Sequence, residues 1–193
     1  MKPTLLFPLA AALLAAGCKK DDPKAMLPPA TQEGKNVGGC LIEGEVWQTS
    51  PGQGLFASAT GTRALVSKRA GQSTYTIKIG LSSDSPSSRL IEFACFGASG
   101  VGAYSFTQKL PSYTSPTPEP DNAQYHNRKG NGPTGDFSTG PAAPGQMTIT
   151  RFDLQKHIVA GTFSFVAQDS VSGRKVNLTD GRFDVEFVYL ELP

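Results

Sequence analysis

The chain has 193 residues, a formal net charge of +2 and 18% charged residues. That length suits one domain with a sizeable core. The near-neutral balance, with no basic block, excludes the electrostatic footprint of a nucleic-acid binder.

Behind Lys2, residues 5–16 form an apolar run, LLFPLAAALLAA. It is shorter than the ~20 residues needed to span a bilayer, so it reads as a signal peptide. Ala15, Ala16 and Gly17 then close on Cys18. This arrangement resembles the lipobox of bacterial lipoproteins. The resemblance implies that residues 1–17 are removed and that Cys18 carries acyl chains, and two or more chains anchor a protein stably. Lys19-Lys20-Asp21-Asp22 resembles a surface-export signal of some Gram-negative groups, and it also suits a solvated leash. The expected location is the cell envelope, lipid-anchored to the outer membrane, facing either the periplasm or the outside. Residues 23–35 hold Pro, Gly, Thr, Gln and Lys with little apolar content. Residues 18–36 are therefore expected to be a lipidated cysteine and a flexible leash that lifts the domain off the membrane.

From Val37 the pattern becomes β, and residues 37–193 are expected to form a single all-β domain. Cys40-Leu-Ile42 and Glu45-Val-Trp47 flank Glu43-Gly44, a hairpin signal. Trp47 is expected in the core. Residues 55–59 and 63–67 are weaker strands. Tyr75, Ile77, Ile79 and Leu81 alternate with Thr76 and Lys78, as in a half-buried strand. Ile91, Phe93 and Cys95 continue the alternation, as do Tyr104 and Phe106. Residues 110–146 are rich in Pro, Gly, Ser and Thr and read as a long loop, with residues 123–128 as a short strand or docked segment inside it. Met147 and Ile149 differ in parity from Phe152 and Leu154, which predicts a bulge near Arg151. After a turn at Gln155-Lys156, residues 158–167 alternate around Phe163 and Phe165. Residues 169–174 form a loop. Val176 and Leu178 change parity before Phe183 and Val185. At that change, Asp180-Gly181 fits either a type I′ hairpin or a glycine bulge, and the bulge is preferred because the halves are short for separate strands. No amphipathic helix of useful length follows Cys18. The expected fold is an antiparallel β-sandwich, with a partly open β-barrel as the alternative.

Leu27-Pro-Pro-Ala-Thr-Gln-Glu-Gly-Lys-Asn36 and Gly39-Cys-Leu-Ile-Glu-Gly-Glu-Val-Trp47 open the domain. Met147-Thr-Ile-Thr-Arg-Phe-Asp153, Gly161-Thr-Phe-Ser-Phe165 and Val176-Asn-Leu-Thr-Asp-Gly-Arg-Phe-Asp184 follow in its second half. Together they resemble a family of uncharacterised Gram-negative lipoproteins, a domain of unknown function. The resemblance implies an all-β exported lipoprotein and no particular activity.

Chemistry-bearing residues are sparse. Cys40 and Cys95 can form a disulfide in an exported protein or pack as buried thiols. His157 is expected to be exposed. No nucleophile elbow, zinc spacing, phosphate loop or calcium loop is present, so neither cofactor nor metal is expected. The long loop is the expected contact surface, with Tyr113, Tyr125, His126 and Arg128 as candidate partner contacts. Asp169-Ser170-Val171 resembles a short O-glycosylation site, with Ser170 as acceptor. The leading expectation is a non-enzymatic binding or envelope-accessory module, tethered through its N-terminal lipid and meeting a glycan or an envelope protein. Alternatives are a glycan-acting hydrolase using paired carboxylates from Asp153, Asp180, Asp184 and Glu186, or a structural subunit of an envelope complex.

Overall fold

The computed structural model describes residues 22–50, 61–83, 89–108, 120–128 and 132–193. Cys18, Tyr113 and the expected strand at 55–59 lie outside the described residues. The described residues form twelve strands: β1 Val37–Ile42, β2 Glu45–Gln48, β3 Thr62–Arg69, β4 Tyr75–Ser83, β5 Arg89–Ala98, β6 Gly102–Phe106, β7 Asn122–Asn127, β8 Gly135–Ser138, β9 Gly145–Asp153, β10 Ile158–Asp169, β11 Lys175–Glu186 and β12 Val188–Leu192.

They form two hydrogen-bonded layers, β12-β3-β4-β5-β7-β8 and β6-β9-β10-β11-β1-β2. The layers join where the end of β10 pairs with β8, through Gln168 and Ser138 and through Asp169 and Phe137. At the opposite side, the chain itself crosses from β11 to β12 at the buried Phe187. β12 then pairs parallel to β3, which makes the sheet mixed. Among the described residues no hydrogen-bonded ladder closes the strands into a barrel, so the fold is consistent with a β-sandwich.

Alternation decides the faces. In β4, Ile77, Ile79 and Leu81 are buried; in β5, Ile91, Phe93 and Cys95 are; in β10, Phe163, Phe165 and Ala167 are. Phe93 of β5 joins the layers. Its ring lies 4.7 Å from Phe163, 5.9 Å from Phe165, 6.1 Å from Phe106 and 6.3 Å from Phe183. Two glycines leave room for this cluster. A Cβ at Gly181 would sit 2.4 Å from the Phe163 ring, and one at Gly145 would sit 2.3 Å from the Phe165 Cβ. Trp47 is a core residue, and its indole N–H donates to Ser83 Oγ at 2.8 Å.

The Glu43-Gly44 turn forms, with positive φ at both residues, as a type I′ turn requires. Both parity changes are bulges. In β9, Thr150 is the extra residue between the pairs Ile149–Gly161 and Arg151–Ala160. In β11, Thr179 and Asp180 together face Ser164, between the pairs Leu178–Phe165 and Gly181–Phe163. The positive φ of 53° there belongs to Asp180. Gly181 is needed for the space under Phe163, not for its torsion.

Two expectations change. The segment 110–146 is not one long loop, because β7 and β8 lie within it and complete the first layer. Nor do residues 22–36 hang free. They open with a 3-10 turn at Pro23–Met26, bury Leu27, and run along the outer face of the second layer.

Candidate binding face and the docked leader

Asp184 fixes that leader. It points outward from β11, yet it is 1% exposed because residues 31–35 cover it. Its Oδ2 accepts from Thr31 Oγ1 (2.6 Å), Glu33 N (2.9 Å) and Lys35 N (3.3 Å), and its Oδ1 accepts from Gly34 N (2.7 Å). Burial is the largest single influence on this carboxyl and pushes its pKa up. The bonds from Thr31, Glu33, Gly34 and Lys35 together outweigh it and hold the carboxyl below its usual range. Around this clamp, Arg182 Nη1 donates to Pro28 O at 3.2 Å, and Lys24 pairs with Asp180 at 2.9 Å. Gln48 donates to Met26 O, and Arg151 donates to Gln32 O.

Beside the leader lies a groove on the outer face of β9, β10 and β11. It consists of two concavities of about 560 and 380 Å³ that share Gln146, Ser164 and Thr179. Ala30 of the leader lines one end, and Pro144 with Ser105 of β6 lines the other. Between them the outward residues are Gln146 and Thr148 from β9, Thr162, Ser164 and Val166 from β10, and Asn177 and Thr179 from β11. Register sets Gln146 beside Ser164 and Thr148 beside Thr162. None of these side chains is charged. The two charged groups at the leader end, Asp180 and Arg182, already hold Lys24 and the Pro28 carbonyl. The surface can therefore donate and accept several neutral hydrogen bonds without first breaking an ion pair.

A second polar row crosses the outer face of the other layer. His126 Nδ1 lies 2.7 Å from Asp136 Oδ1, and its Nε2 lies 3.6 Å from Glu92 Oε2. Arg63 Nη2 reaches Glu92 Oε1 at 2.8 Å, over Gly80. Among the described residues no group of three or more His, Cys, Asp or Glu side chains is arranged to hold a metal ion.

The candidate contacts separate. Tyr125 is not a surface contact: it is fully buried, with its ring 5.8 Å from that of Phe137. The reason is that β7 lies between β5 and β8, so its alternate side chains turn into the core. His126 and the exposed Arg128 remain on the surface. Cys40 and Cys95 are buried free thiols, and burial pushes both thiol pKa values up. Ser170 is exposed in the β10–β11 loop. The neighbouring Asp169 carboxylate braces that loop by accepting from Val171 N at 2.8 Å and from Ser172 Oγ at 2.9 Å. His157 is exposed at a positive φ of 55°, with its ring 5.4 Å from Phe187.

Each of the four acids considered for hydrolysis is engaged by neighbouring groups. Asp184 lies under the leader. Asp180 holds Lys24. Glu186 accepts from Asn36. Asp153 is bonded by Arg151 and by the amides of Lys156 and Gln155, which hold it below the usual carboxylate range.

The groove residues were not singled out from the sequence, although a signal exists. Outward positions of exposed strands normally mix in Lys and Glu, whereas here, Val166 apart, positions 146, 148, 162, 164, 177 and 179 are all Gln, Thr, Ser or Asn. No known family model, curated protein or solved structure matches the chain.

Proposed function

We propose that this protein is a lipid-anchored, non-enzymatic binding module of the bacterial cell envelope, and that the groove on β9, β10 and β11 is its contact surface. The signal-like start and Cys18 support the anchor. The observation that carries the binding reading is the groove's lining: neutral hydroxyls and the Gln146 amide on three neighbouring strands, with Asp180 and Arg182 beside them already paired. Such a surface suits a polyhydroxylated partner such as a glycan, whose hydroxyls both donate and accept. It replaces the 110–146 segment as the leading contact surface, because Tyr125 is spent on the core.

The test is a binding panel of envelope and host polysaccharides, read with the acylated full chain in detergent, which leaves both outer faces open to solution. Ser164→Arg sets a long cation on the groove floor. It should weaken the best ligand about tenfold or more, roughly 1.4 kcal/mol, while a Lys78→Arg change on the other layer leaves affinity alone. Unchanged affinity in the Ser164 variant would remove the groove from the reading. Turnover of any polysaccharide that Asp153→Asn abolishes would favour the hydrolase instead.

A further inference from the structure

We infer that the groove-bearing face of the second layer, together with the exposed Met26 beside it, rests on the surface of the lipid bilayer. The inference depends on the anchoring reading at Cys18 and goes beyond it. A leash over 18–36 would span about 60 Å when extended and would leave orientation free. The docked leader removes that freedom. Asp22 is already the N-cap of the Pro23–Met26 turn, accepting from Lys24 N at 3.0 Å, and Lys24 is tied to Asp180 on β11. Only residues 19–21 separate the acylated position from the fold. Four residue steps from 18 to 22 reach at most about 14 Å.

That reach decides the orientation. Two packed sheets lie about 10 Å apart, and side chains on both outer faces bring the thickness to roughly 20 Å. Residue 22 approaches from the outer face of the second layer. Turning the first layer to the membrane would carry residue 22 a full sandwich thickness from the lipid, farther than its tether extends. Of the two outer faces, only that of the second layer can lie against the bilayer. Met26, 62% exposed on this side, is an apolar side chain suited to the headgroup boundary. The groove then opens toward the headgroup layer, where a glycan carried on a membrane lipid reaches it.

The acylated full chain in phosphatidylcholine vesicles tests this, with an environment-sensitive fluorophore on Met26→Cys, Thr162→Cys or Lys78→Cys in separate preparations. Vesicles containing headgroup-spin-labelled phosphatidylcholine provide the quencher. The labels at 26 and 162 should lose most of their emission, and the label at 78, exposed on the first layer, should lose little. Adding Asp184→Ala and Thr31→Ala releases the leader and should level the three sites. Mass spectrometry of the same samples separates the two possible failures. A chain without acyl groups refutes the anchoring reading, and this inference with it. An acylated chain quenched equally at all three sites, or most at 78, overturns the orientation alone.

Discussion

Replacing Asp184 by Asn tests the main physical claim, that one buried carboxylate holds the leader. The carboxylate accepts four hydrogen bonds, three on Oδ2 and one on Oδ1. An amide keeps one acceptor oxygen and turns an NH₂ toward the remaining donors. In either orientation at least one backbone N–H faces another N–H. Bonds to a charged acceptor contribute about 1.5–3 kcal/mol each, but bonds sharing one carboxylate do not add fully. A loss of about 2–4 kcal/mol in leader docking is expected. At 1.4 kcal/mol per decade this speeds exchange of the Glu33, Gly34 and Lys35 amides by a factor of about 30 to 1,000. Strand amides at the centre of β10 should change far less. The pH dependence follows from the lowered pKa. The folded pKa lies below the unfolded value near 3.9, so the clamp is complete above that value and is lost as pH falls through the folded one. The Gly34 amide resonance should move with acid in the native chain and lack that step in Asp184→Asn. Unchanged exchange at 33–35 in the variant would refute the clamp.

Two further outcomes follow from the core. Gly181→Ala drives a Cβ to 2.4 Å from the Phe163 ring, which should cost about 1–3 kcal/mol. Thermal unfolding should report a clear drop in Tm, and an unchanged midpoint would show that Phe163 can move aside. Cys40 and Cys95 should resist iodoacetamide at pH 8 in the folded chain and react together once it is unfolded, since burial raises both pKa values. An intact mass two hydrogens lighter after alkylation in denaturant would instead reveal a disulfide.

Much of the strand pattern was legible because a one-sided sheet imposes a period of two. Tyr75, Ile77, Ile79 and Leu81 against Thr76 and Lys78 needed no tertiary information, and neither did the bulge near Arg151, whereas at Asp180-Gly181 the parity change was legible but only the pairing with Phe163 and Phe165 decided between bulge and hairpin. The strand β7 falls on the short segment expected at 123–128, but its place inside the sheet, and β8 altogether, were harder to read. Their flanks are rich in Pro and Gly, and Gly135–Ser138 is too short to show a period. Composition therefore favoured a loop, and Tyr125 was placed outside. The groove was hidden for a related reason. Thr148, Thr162 and Thr179 are unremarkable singly, and only register brings them to one surface.

The chain's own order of residues determined the all-β class, because hydrophobic alternation and turn chemistry are local properties. Tertiary structure alone decided what the polar segment before β1 does. Residues 22–36 carry almost no apolar signal, and the group that orders them, Asp184, lies about 150 positions away. A carboxylate that reads as one more exposed acid on an alternating strand is, once the strand has neighbours, the acceptor around which the leader closes. No local pattern can encode that, because the donors and the acceptor meet only after β11 has been placed between β10 and β1.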